Sequence, residues 1–318
     1  MHLDIKKDGI IMKTPKIEQV KGDYWIFRNA KYVVLVGKKL LIFQVDGTFV
    51  VCREDIPNAF KVAFLPGDRL LTGGGKGAYH MLSLTDGTEL WSITQQKRES
   101  SAEKFALSLD GVWAYDYYSW KDGLHFVRIN LDRGEAEEYA VCPGLRSTTD
   151  IMCDKDGIPC LLQEHYANIA GEQISENGIL YQYQDSFKPG SSFYWKCKWQ
   201  FNGKRIARQF LGDTECVITN DLYVYNPKTG VGYYLLENDS AIHLPELEPV
   251  NCCIDYSGQY IVLMYNTVNI VVDWNARKAV ACYVADYTKG CIVGNQFWVS
   301  SKNGILQKPF PSMEEIPL

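Results

Sequence analysis

Three stretches of this chain hold residue types that could do chemistry. Glu164-His165-Tyr166 sets a carboxylate beside an imidazole, a combination that suits a general base or half of a metal site. Neighbours on an extended chain point to opposite sides, so a working site would need a further group from elsewhere. His80, His125 and His243 are the candidates by elimination. Tyr115-Asp-Tyr-Tyr-Ser-Trp-Lys121 crowds four aromatics around what reads as an exposed bend. There Tyr117, Tyr118, Trp120 and Lys121 would anchor a protein partner or a sugar ring. Thr72-Gly-Gly-Gly-Lys-Gly77 resembles a phosphate cradle, but Gly77 follows Lys76 directly and a strand-like run comes next. A phosphate loop needs a helix there, so this stretch reads as a turn.

The remaining reactive residues do not assemble into a motif. The ten cysteines are scattered through apolar runs without a Cys-x-x-Cys pair, which points to buried reduced thiols and away from zinc. The Gly-x-Ser-x-Gly pattern of serine hydrolases is missing. The expectation is a chain without metal or cofactor, leaning away from catalysis. The formal charge is −5 and the basic clusters are pairs such as Lys6-Lys7 and Lys38-Lys39, so neither nucleic acid nor an anionic membrane is an expected partner. Met1-His-Leu-Asp-Ile-Lys-Lys-Asp8 has charge where a leader needs apolar residues, so the expected location is cytoplasmic.

These residues must be positioned by strands. Two families of turn alternate along the chain. One runs through Arg28-Asn29, Gly67-Asp68, Asp110-Gly111, Asp156-Gly157, Gly212-Asp213, Ser257-Gly258 and Gly294-Asn295. The other runs through Asp46-Gly47, Asp86-Gly87, Arg133-Gly134, Pro189-Gly190, Thr229-Gly230 and Arg277-Lys278. Between them lie short runs rich in β-branched and aromatic residues, four to a unit of about 40 residues, a period that belongs to β-propellers. The expected fold is therefore all-β: one domain over 1–318, a seven-bladed β-propeller of four-stranded antiparallel blades. The blades are placed at about 23–55, 60–94, 103–142, 148–200, 204–237, 249–285 and 288–308. The last holds three strands, and 9–14 is expected to supply the fourth and close the ring.

Leu84-Thr-Asp-Gly-Thr-Glu-Leu-Trp91 resembles the turn and strand of quinoprotein-type and WD-repeat blades. Val272-Asp-Trp-Asn-Ala-Arg-Lys-Ala279 and Tyr225-Asn-Pro-Lys-Thr-Gly230 are similar to the WD-repeat passage from third to fourth strand. The Gly-His pair of WD repeats occurs in no blade. The resemblance implies the architecture and does not select a subfamily.

With strands lettered a to d outward from the axis, the a–b and c–d turns share one face and the b–c and d–a connections the other. The first set is mostly tight. The second is expected to be long at 94–103, 117–123, 164–177 and 237–248, and long connections are where binding concentrates. The functional expectation is a non-catalytic scaffold binding a protein or peptide there, through Tyr117, Tyr118, Trp120, Lys121, Glu164, His165, Tyr166 and His243. The alternative is a propeller enzyme or sugar-type ligand binder with its site at the mouth of the central channel. Asp86 and Trp91 are assigned to the turn and to packing between blades.

Overall fold

The computed structural model describes residues 6–7, 10–11, 15–74, 78–94, 100–101, 104–121, 123–143, 149–153, 159–169, 172–183, 191–192, 195–202, 205–211, 214–219, 222–226, 231–236, 251–284, 289–301 and 303–314. Within them the chain forms seven antiparallel meanders, each pairing a to b and b to c in sequence order, and c to d in the first six. Blade one is Trp25–Arg28, Tyr32–Val36, Leu40–Gln44 and Phe49–Arg53. Blade six is Asn251–Ile254, Tyr260–Met264, Val268–Asp273 and Lys278–Val284. Blade seven has three strands, Gly290–Val293, Gln296–Ser301 and Gly304–Pro309.

The b and c strands are apolar at consecutive positions because both sides of a blade meet a neighbour. In Tyr32–Val36 every residue is buried. Val33 and Leu35 pack with Val293, Trp298 and Ile305 of blade seven, while Val34 and Val36 pack with Leu70 and Leu82 of blade two. Similar cores lie between blades two and three, five and six, and six and seven. Stacking in a ring thus buries surfaces that a lone blade would expose.

Turn residues also join blades. Gly87 in the c–d turn of blade two has φ +73° and lies so close to blade one that a Cβ there would be 2.3 Å from Val51 Cγ1. Its carbonyl accepts a 2.8 Å bond from Arg53 Nη1. Blade three repeats the contact: a Cβ on Gly134 would meet Trp91 Cγ at 2.6 Å, and Trp91 Nε1 donates to the Leu131 carbonyl at 3.2 Å. Trp91 therefore packs between blades.

Ring closure differs from the expectation in detail. Ile10–Ile11, the described part of 9–14, pairs with Lys6–Lys7 and has no register with Gly304–Pro309. Residues 17–24 add a further contact to blade seven. Ser300 Oγ accepts from the Tyr24 amide at 3.1 Å and donates to the Gly22 carbonyl at 3.3 Å. Lys289 Nζ pairs with Asp23 at 2.7 Å. Gly304 leaves room for the Glu18 carbonyl, which a Cβ would approach to 2.6 Å.

Two outer edges take extra strand. The chain beyond blade seven crosses to blade six, where Met313 bridges Cys282 in parallel. The Cys282 amide donates to the Ser312 carbonyl at 2.8 Å, and Glu314 Oε2 accepts from the Val284 amide at 2.9 Å. On blade three, Ser191–Ser192 pairs in parallel with Ala140 and Val141, so the end of the blade-four c–d excursion returns onto its neighbour. Covered edges offer no template for pairing with other chains.

Candidate functional site

The expected bend at 117–123 is strand instead. Trp113–Trp120 and Gly123–Asn130 pair up to Trp120 opposite Gly123, leaving a tight b–c hairpin on blade three. Both sides of that strand are buried, Ala114 and Asp116 on one and Tyr115 and Tyr117 on the other, and Tyr117 is 3% exposed. Tyr117 is thus a packing residue. Tyr118 and Trp120 are half-buried and Lys121 is exposed at the turn. Tyr118 stacks on its cross-strand partner His125 with ring centres 4.7 Å apart and planes 11° apart. Its hydroxyl bonds Glu138, and His125 Nδ1 lies 2.9 Å from Glu138 Oε1. Lys121 Nζ is 6.0 Å from the Trp120 ring centre, at the outer range of a cation–π contact. The hairpin end therefore presents an aromatic and a cation on a rigid base.

The expected loop at 164–177 is also strand. Pro159–Ile169 and Glu172–Tyr183 stay paired out to Ile169 opposite Glu172. Strand a of blade four, Thr149–Cys153, stops pairing at Gln163, and Trp195–Asn202 stops at Asn177. Residues 164–169 and 172–176 therefore leave the four-stranded blade as a two-stranded arm on the b–c side. Glu164, opposite Gly178, and His165, opposite Asn177, stand at its base, with Tyr166 opposite Ser175 just beyond a register shift. The sequence carries a turn signal at Ala170-Gly171, but the flanking polar residues hide the pairing. Of the 94–103 connection, Ser100–Ser101 pairs with Ser119 and Tyr118. His243 and the rest of 237–248 lie outside the described residues.

The channel residues went unnoticed in the sequence. The inner strands of blades one, two, six and seven, with Lys104 of blade three, enclose a cavity of about 510 Å³. Trp25, Phe27, Phe60 and Tyr256 are among its aromatic walls. Arg28 Cζ lies 4.3 Å from the Tyr256 ring centre, and Arg28 Nε is buried without a hydrogen-bond partner among the described residues. Asp255, also on the wall, is engaged by its own turn: Oδ1 accepts from the amides of Gln259 (3.1 Å) and Tyr260 (2.8 Å), and Oδ2 from the Ser257 amide (3.1 Å) and hydroxyl (2.6 Å). Burial pushes the Cys253 thiol up to about 11 and raises that of Cys291 as well. Both are neutral thiols at physiological pH and poor nucleophiles. Among the described residues no three His, Cys, Asp or Glu side chains come together as metal ligands.

Six four-stranded meanders and one of three strands, arranged around an axial cavity, define a β-propeller. Among solved structures, the chain is similar to the crystal structure of the β-propeller domain of Cps50 (Swd1) from Myceliophteria thermophila. The TM-score is 0.59 at 10% identity, over 91% of this chain and 96% of that one. No protein-family model and no curated protein sequence matches it. Among the described residues no helix is long and apolar enough to cross a membrane.

Proposed function

We propose that this propeller is a non-catalytic binding platform for a protein or peptide, which it holds on the face of the b–c connections. The observation that supports the reading is the arm at 164–176, whose strands pair with each other and with no third strand among the described residues. A two-stranded ribbon is marginal alone in water and has unused backbone donors and acceptors along its outer edges. A partner that adds a strand there stabilises the arm and gains specificity from alternate side chains. Glu164, His165 and Tyr166 open the arm, and Tyr118, Trp120 and Lys121 supply an aromatic anchor and a charge from blade three. Tyr117 supports this surface from beneath, and His243 is a further proposed contact from the 237–248 connection. Cys52, Cys153, Cys252, Cys253, Cys282 and Cys291 are free thiols, which suits a reducing compartment such as the cytoplasm.

The test replaces 166–175 by Asn-Gly, leaving the four-stranded part of blade four intact, and separately makes Trp120→Ala. Native lysate is captured on each protein and quantified by mass spectrometry. A stoichiometric partner held by the parent should fall at least about tenfold on both variants, the scale of a lost aromatic anchor. Equal capture by the arm-less protein, with an unchanged melting temperature, removes this face from the proposal.

A further inference from the structure

We infer that the central channel binds a small amphipathic carboxylate, its acid group on Arg28 and its apolar body between the aromatic walls. This site is independent of the b–c face. Three observations carry it.

The first is space. At about 510 Å³ the cavity lies in the range of small-molecule pockets, and aromatic and aliphatic side chains dominate its lining. Water held there would make few hydrogen bonds, so an apolar body displaces it favourably.

The second is charge. Arg28 and Lys104 are the cations on the described wall and Asp255 the carboxylate. Asp255 is saturated by four bonds from Ser257, Gln259 and Tyr260, and it has no ion pair with either cation. Cys253 and Cys291 stay protonated and add no negative charge. Two cations against one carboxylate leave a single positive charge, which matches a monoanion better than a phosphate dianion.

The third is orientation. Arg53, Arg69 and Arg128 each hold a carboxylate, on Asp55, Asp132 and Glu137. Arg28 has no such partner among the described residues, although its Nε is buried. Leaving a buried donor unsatisfied costs about 1–3 kcal/mol, and more for a charged group. Its stacking on Tyr256 already fixes the plane of the guanidinium. A planar fork held in place, lacking an acceptor and facing an apolar cavity is arranged for bidentate recognition of a carboxylate.

The experiment uses the full chain and three naphthalene probes: 2-naphthoate, its neutral amide, and 2-naphthylmethylammonium. Thermal shift and quenching of intrinsic tryptophan fluorescence read binding, since Trp25 lines the cavity. Naphthoate should bind and raise the melting temperature, with the amide at least about tenfold weaker and the ammonium weaker still. Arg28→Gln should abolish the preference for acid over amide, and Arg28→Lys should restore only part of it. Lys104→Gln should weaken naphthoate by a smaller factor. Amide and acid binding alike, an Arg28→Gln protein that keeps the preference, or no binding of naphthoate at millimolar concentration overturns the site. If Arg28→Gln does not fold, the acid-to-amide ratio on the parent protein decides alone.

Discussion

Lys61 Nζ lies 2.6 Å from Asp116 Oδ2, and the two side chains are 1% and 0% exposed. The pair joins strand a of blade two to strand b of blade three. The Tyr79 hydroxyl donates to the same carboxylate oxygen at 2.7 Å, and Asp116 Oδ1 accepts from the Tyr117 amide at 2.8 Å. Phe105 lies under the ammonium with its ring centre at 4.8 Å. WD repeats use a polar network around a Gly-His pair; this chain lacks that pair and has a buried ion pair at a blade interface.

That burial sets the size of the effect. Lys61→Met removes the cation that faces the buried Asp116 carboxylate, so unfolding free energy in urea should drop by about 3–5 kcal/mol. Adding Asp116→Asn should return part of the loss, because the remaining buried group is then neutral. If the double mutant loses the sum of the single losses, the two residues are not coupled and the interface does not depend on the pair.

The Gly87 turn tests the docking of adjacent blades. Gly87→Ala meets two penalties: a positive φ and a Cβ 2.3 Å from Val51 Cγ1. Together they should cost about 2–4 kcal/mol. Gly111→Ala has φ +69° with nothing within 4 Å, so it should show the backbone penalty alone, about 1–2 kcal/mol. Val51→Ala introduced beside Gly87→Ala should recover part of the steric share, since the Val51 Cβ stays at 2.9 Å, and leave the backbone share. Equal losses for Gly87→Ala and Gly111→Ala, measured by denaturant melts, would show that the turn does not press on blade one.

Acid should unfold the propeller partly through its turns. Asp46 and Asp86 are held below the ordinary carboxylate value chiefly by the amides of Thr48 and Thr88, and Asp110 chiefly by the Ser108 hydroxyl and then the Val112 amide. A depressed folded value means that the unfolded chain takes up protons first as the pH falls. The stabilisation is whole above the unfolded value near 3.8 and is lost as the pH drops through the lower folded values. Melting temperature should therefore fall steeply below about pH 4, and Asp46→Asn, Asp86→Asn and Asp110→Asn combined should flatten that limb. An acid limb of unchanged steepness in the triple variant would assign the loss to other carboxylates.

The blades were legible because their signals are local. Gly47, Gly87, Gly111, Gly134, Gly258 and Gly294 all fall in the two turn families, and all adopt positive φ. Runs such as Tyr32–Val36 and Tyr260–Met264 are apolar at nearly every position, which marks strands buried on both sides. The connections were less legible. Tyr115–Lys121 and Glu164–Asn177 read as loops because polar and aromatic residues mix there, whereas each continues its hairpin. Hairpin length depends on where flanking strands stop, and those strands lie elsewhere in the chain. The aromatic tip was half visible: residue type identified Trp120 and Lys121, but only the folded strand, buried on both sides at 114–117, shows Tyr117 to be covered.

By itself the sequence determined the number of repeats, the strand-turn grammar within each and the all-β class, since these depend on residues within a few positions of one another. Tertiary structure decided what each repeat's position in the ring makes of it. Arg28 and Tyr256 are near opposite ends of the chain, and they meet because blades one and six flank blade seven. It also set 17–24 against blade seven, and carried the chain beyond that blade onto the edge of blade six. Side-chain periodicity says that a face will be buried; ring geometry alone says against what, and which charge is left inside.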